Sequence, residues 1–142
     1  MSIREDIAKN IVTTLKEIVD LKPVLVTREP FDVEKIAVTQ FPAVLIETTE
    51  ENRNTATMSA GIRSSTIIYN VRGYVRGTEL DTKRNDLIEA IEEALDADRV
   101  RGLSGQVQDT QITRIEVITR MPPLAEVLIT VEVRYIFQRG AA

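Results

Sequence analysis

Histidine and cysteine are both absent from the 142-residue chain. Without cysteine there is no thiol nucleophile, no disulfide framework, no thiolate zinc site and no iron–sulfur ligation, and the redox compartment cannot be read. Without histidine the chain lacks the side chain that most often serves as general base, proton shuttle or transition-metal ligand near neutral pH. Ser-His-Asp and Cys-His mechanisms are therefore closed. A basic excess is missing too: a formal charge of −4 and a pI of about 5.0 disfavour a dedicated nucleic-acid binder, which must neutralise phosphates. No apolar run approaches the roughly 20 residues that cross a bilayer. The start, Met1-Ser2-Ile3-Arg4-Glu5-Asp6, has no basic run leading into an apolar stretch, so no secretory signal is read. Internal repeats and low-complexity tracts are absent. A soluble protein with no membrane partner is expected.

What is present is an ordinary globular mixture, 43% hydrophobic and 28% charged, in a chain long enough to bury a core without staples. Residues 1–142 read as one domain.

Ser2 and Glu5 form an S-x-x-E capping box, and Ile3, Ile7, Ile11, Leu15, Ile18 and Val19 follow at helical spacing. Pro23 cannot continue that helix. Val24 to Arg28 reads as a short strand, Phe31 to Gln40 as mostly loop, and Ala43 to Thr48 as a buried strand. Glu50 to Ser65, rich in Asn, Thr and Ser, reads as the soft tip of an extended hairpin. From Thr66 to Arg76 the pattern alternates, with Ile67, Tyr69, Val71, Gly73 and Val75 towards the core and Ile68, Asn70, Arg72, Tyr74 and Arg76 away. Thr78 with Asp81, or Asp81 itself, is a candidate cap for a second helix whose stripe is Leu87, Ile88, Ile91, Ala94 and Leu95. After a loop from Gly102 to Asp109, strands at 111–119 and 127–137 are joined across Met121-Pro122-Pro123. The expected class is α+β: two main helices packed on a mainly antiparallel sheet with a long hairpin.

Chemistry-bearing patterns each have a plainer reading. Glu89, Glu92, Glu93 and Asp96 are spaced to cluster around a hard cation, but without ligand-loop spacing they read as a solvated helix face. Arg72-Gly73-Tyr74 opens like an RNA-recognition strand, and the match then fails at Val75 and Arg76. Arg72 and Arg76 are expected to pair with acids on an adjoining strand or a neighbouring subunit. Gly102-Leu103-Ser104-Gly105, between Arg99, Arg101 and the following loop, reads as a helix C-terminal cap rather than a phosphate clamp. Ser104 is not in a nucleophile elbow, and no P-loop is present. No catalytic residue, metal ligand or cofactor is expected.

The layout resembles the tail terminator proteins of tailed bacteriophages, also called tail-tube completion or minor tail proteins. The resemblance lies in the N-terminal helix from Ser2, the strand Phe41-Pro42-Ala43-Val44-Leu45-Ile46-Glu47, the strand through Val71-Arg72-Gly73-Tyr74-Val75-Arg76, and the closing strand from Glu126 to Tyr135. It implies a structural, non-enzymatic virion protein: a ring, typically hexameric, that caps the head-proximal end of the tail tube, ends its polymerisation and joins the tail to the head. The implied partners are other copies of the chain, the tail tube protein, neck or head-completion proteins, with sheath protein as a further candidate, and DNA passing through the lumen without specific binding. Assembly in the bacterial host cytoplasm and residence in the virion tail or neck follow from the same resemblance. From exposure and chemistry, Arg53, Met58 and Arg63 on the hairpin and Arg72, Tyr74 and Arg76 on the mixed strand face are the candidate contact residues. Charge reversal at Arg72 and Arg76 is expected to weaken the ring with the monomer still folded. The rivals are another head–tail connector, such as a neck or stopper subunit, and a small ligand- or nucleic-acid-binding module.

Overall fold

The computed structural model describes residues 2–18, 23–59 and 62–138, with backbone alone at 54–59 and at 138. The order is α1 (Ile3–Lys16), β1 (Leu25–Thr27), β2 (Ala43–Ser59), β3 (Ile62–Arg76), α2 (Leu80–Asp96), β4 (Val107–Ile118) and β5 (Leu124–Gln138). One five-stranded sheet holds the strands in the order β1-β2-β3-β5-β4. Every neighbouring pair is antiparallel except β1 with β2. This is the α+β class that the pattern of elements predicts.

The capping box is half realised. The Ser2 hydroxyl accepts the Glu5 amide hydrogen at 3.1 Å, while the Glu5 carboxylate turns away to a two-pronged ion pair with Arg28 at 2.8 and 3.1 Å. The charged pair holds the carboxylate more strongly than a neutral amide does. The helix ends at Lys16, earlier than the apolar stripe suggests, because Glu17 bonds back to the Thr13 and Thr14 carbonyls in a tight last turn. Ile18 lies buried beyond the end; Val19 falls outside the described residues. At α2 neither Thr78 nor Asp81 caps. The chain enters through Gly77 (φ 123) and Glu79 in the left-handed region (φ 53), and no side chain closes the first turn. Asp81 instead pairs with Arg84 at 2.8 Å.

Both helices sit on one face of the sheet. Ile7, Ile11 and Leu15 of α1 and Leu87, Ile91 and Leu95 of α2 meet Ile67, Tyr69, Val71, Val127, Ile129, Val131 and Val133 in one core. Burial of that alternating set is the main force that fixes the register, since a one-residue slip would turn it to solvent. Gly73 marks where α2 comes nearest: a Cβ there would stand 2.8 Å from Leu87 Cδ2 and 3.1 Å from Val127 Cγ1.

Glu50 to Ser65 does fall at the end of the expected hairpin, but as strand for most of its length: β2 runs to Ser59 and β3 starts at Ile62. Asn52, Arg53 and Asn54 face Thr66, Ser65 and Ser64 in the β2–β3 ladder. Backbone pairing with β3, itself held by β5 along its whole length, overrides the weak strand propensity of Asn and Ser. Strand β4 likewise begins at Val107, inside the expected loop, and β5 runs from Leu124 to Gln138.

Candidate assembly surfaces

Because both helices share one face, the other face of the sheet is left for something else. At its lower end the β1–β2 connection folds over it: Phe31, Val33, Ile36 and Phe41 close on Ala43, Leu45, Tyr74 and Leu124 in a second, smaller core. Tyr74 is thereby buried, its ring edge-on to Phe31 at 5.7 Å between centroids. It does not present a contact surface in the free chain.

Next to Tyr74 the same face carries an ion network. Arg72 Nε donates to Glu47 at 2.8 Å and Nη1 to Glu126 at 3.0 Å, while Arg120 donates to the other oxygen of Glu126 at 2.5 Å. The Glu126 side chain is only 3% exposed, so its charge depends on the two guanidiniums. Hydrogen bonding to Glu47 holds the Arg72 pKa above its usual value despite burial. Arg120 also lies over the Tyr74 ring, 5.6 Å from its centroid. The expected pairing of Arg72 with acids on adjoining strands is thus found within one chain. Charge reversal at Arg72 accordingly acts first on the fold. Arg76, four residues on, has no side-chain hydrogen bond or ion pair among the described residues.

A second polar cluster lies on the helix side, towards the hairpin. Glu51 accepts from Arg4 at 2.6 Å, Ser65 at 2.5 Å and Tyr135 at 2.7 Å, and stands 3.5 Å from Arg53. Burial works against its charge, but those hydrogen bonds outweigh it and hold the pKa at about 2. Burial pushes the Tyr135 and Tyr69 hydroxyls up. Arg53 stacks on Phe137, 4.3 Å from the ring centroid. Arg63 donates to the Ile62 carbonyl at 3.3 Å. Met58 lies where the backbone alone is described. The six candidate contact residues therefore divide. Arg53 and Arg63 lie near one another at the hairpin, Arg72 and Tyr74 are engaged within the chain, and Arg76 is partly exposed at the far end of β3.

The third surface is the edge strand β4, which no sequence signal singles out. Its far side meets no strand among the described residues. Between it and the end of α2 lies an open groove of about 670 Å³, bounded by Glu92, Asp96, Arg99 and the stretch Asp109–Ile115. Ile115 is 41% exposed and Val117 54%, on the side of β4 that faces the helices but beyond their reach. Just past the end of α2 the buried Arg101 guanidinium donates through Nη2 to the carbonyls of Leu95 and Asp98 as a C-terminal cap. Arg101 (φ 52), Gly102 (φ 69) and Gly105 (φ 89) make the turn that the Gly-x-x-Gly pattern predicts.

Among the described residues no three acidic side chains gather as a metal site, and no helix is long and apolar enough to cross a membrane. Two ion networks and open sheet edges stand out, while the buried Arg101 keeps its Nε and Nη1 without a hydrogen-bond partner among the described residues.

No protein-family model matches the chain, and no curated protein sequence matches it. Among solved structures, a chain of the virion of a native gene transfer agent particle shares the fold, with a TM-score of 0.57 over 89% of this chain and 92% of that one, at 10% identity.

Proposed function

We propose that the chain is a structural subunit of a phage-like virion: a ring that caps the head-proximal end of the tail tube, terminates tube polymerisation and joins the tail to the head. The observation that carries this reading is the likeness of fold to a gene transfer agent virion chain over nearly the full length of both proteins. Two further features support it. The resemblance to tail terminators rests on elements that are strands and helix in the structure, from Ser2 through the closing strand β5. The surfaces left open are sheet edges and a hairpin rather than a closed pocket, as suits a protein whose work is geometric. A ring of identical subunits satisfies its own side surfaces and leaves two unlike end surfaces, one for the tube and one for the neck. The excess of acid over base suits a lumen through which DNA slides without being gripped. No catalytic step, cofactor or metal enters this function.

The test is assembly. Particles from a lysate that encodes the protein should contain it in a fixed ratio below that of the tube subunit, and the purified chain should halt tube growth in a mixing assay. Binding to the neck end with no effect on tube length would move the assignment to a stopper or neck subunit. Absence from the particle would overturn the virion reading altogether.

A further inference from the structure

The sheet ends differently on its two sides. On one side is the outer edge of β4, 12 residues long. On the other, β1 covers β2 only from Ala43 to Leu45, so the outer edge of β2 is free of any described strand from Ile46 to Ser59. Unpaired strand edges are templates for another strand. The antiparallel pairings give β2 and β5 one direction and β3 and β4 the other. Setting the free β2 edge of a second copy beside β4, with helices on the same side, therefore yields an antiparallel ladder without turning the molecule over.

We propose that β4 of one copy pairs with the free reach of β2 of the next, so that neighbouring subunits share one continuous sheet. This deepens the assembly reading and rests on it only for the claim that the chain self-associates. Two demands set the register. The ladder must clear β1, and residues that face one another must point to the same side of the sheet. With the ladder ending at Val117, because Ile118 would fall opposite Leu45 where β1 already pairs, the lowest register meeting both places Val117 opposite Ile46 and Ile115 opposite Thr48, all on the helix side. It also places Arg114 opposite Glu50 on the other side, once the bulge between Thr48 and Glu50 is counted. Arg114, 69% exposed, meets an exposed carboxylate; Glu116 falls opposite Glu47, each already held by an arginine of its own chain, Arg114 and Arg72. The half-exposed Ile115 and Val117 become covered, which removes apolar surface from water. Such a contact joins two different edges, so it is heterologous and propagates to a closed ring or an open filament.

The cysteine-free sequence makes a direct test possible. Directly opposed residues in an antiparallel ladder have Cα atoms about 4.5–5.5 Å apart, within disulfide reach. Ile115→Cys and Thr48→Cys should each stay uncross-linked alone under mild oxidation, give a covalent dimer when mixed, and give a ladder of multimers when combined in one chain. Arg114→Glu should lower the cross-linked fraction about fivefold to tenfold, and Glu50→Arg in the partner should restore it. Cross-linking of Ile115→Cys with itself would overturn the proposal in favour of a two-fold β4–β4 contact. So would a ring, seen by light scattering and negative stain, that forms without the mixed cross-link, or a chain that remains monomeric and unlinked at high concentration. Each of these leaves the presence of the protein in particles as a separate measurement, so the two readings fail independently.

Discussion

Replacing Arg72 by Glu probes the network that ties β2, β3 and β5 together on the open face. The Arg72 guanidinium holds Glu47 at 2.8 Å and Glu126 at 3.0 Å, and Glu126 is almost fully buried. Removing one partner of a buried, hydrogen-bonded ion pair costs roughly 3–5 kcal/mol, chiefly because a charge is stranded. Arg120 stays on Glu126 at 2.5 Å, which places Arg72→Met at or below that range, about 1–3 kcal/mol. Arg72→Glu adds a third carboxylate and should reach about 3–5 kcal/mol at neutral pH. Urea unfolding at neutral pH followed by far-ultraviolet circular dichroism measures the parent and both variants. Arg76→Glu serves as the comparison, at about 0.5 kcal/mol or less, since its side chain has no described partner. An Arg72→Glu variant within about 0.5 kcal/mol of the parent, with an unchanged slope, would refute the assignment of Arg72 to the fold. Only the Arg76 variant can then report cleanly on a contact between subunits.

Glu51, with its pKa held at about 2 against an ordinary 4.5, contributes stability above pH 4.5 that is lost as the pH falls towards 2. With solvent screening at a partly exposed site this amounts to roughly 1–2 kcal/mol, and an acid titration of Glu51→Gln should show a correspondingly shallower loss over that window. Gly73→Val should destabilise by about 1–3 kcal/mol, read as a lower thermal midpoint, because its Cβ would meet Leu87 at 2.8 Å and lift α2 from the sheet. Ser2→Ala removes the hydroxyl that accepts the Glu5 amide hydrogen and should cost about 1 kcal/mol in the same assay; Ser2→Asp should restore it.

The legible part of the sequence was whatever repeats. The alternation from Thr66 to Arg76 and from Val127 to Phe137 named the buried face of both central strands, and the helix stripes named Leu87, Ile91 and Leu95. Alternation also put Arg72 on the face opposite the core, and Glu47 and Glu126 fall in phase with it once the ladder is known. That register is a long-range fact: Arg72 and Glu126 are 54 residues apart. Separation along the chain also hides the burial of Tyr74. Its cover comes from Phe31 and Val33, in a stretch with no periodicity to announce that it folds back over the sheet. Glu51 was hidden differently, inside a run of Asn, Thr and Ser whose composition says turn while its pairing with β3 says strand. The capping motifs fared unevenly for a local reason. Ser2 was free to cap, whereas at α2 the left-handed Glu79 sets the entry angle and leaves Thr78 outside the first turn.

A sheet with helices on one face has three surfaces to account for, and here they are treated unequally. The helix face is filled except along β4, where Ile115 and Val117 stay exposed. The open face is closed at one end by the β1–β2 connection and tied across its middle by the Glu47–Arg72–Glu126–Arg120 network. Among the described residues the edges are bare, and they are unlike: one is a full strand, the other a strand screened only at its start by the three residues of β1. Like edges would favour a two-fold pair that buries both and stops. Unlike edges favour head-to-tail addition, in which each new copy restores the edge that the last one consumed, so growth ends only when the chain of subunits meets itself. In the proposed contact the short β1 acts as a register stop, blocking every alignment of β4 below Ile46 and so setting the lower limit of the slide along the strand. A subunit that must close a ring of fixed size needs such a stop, because each two-residue slip would shift the next copy by nearly 7 Å along the strand.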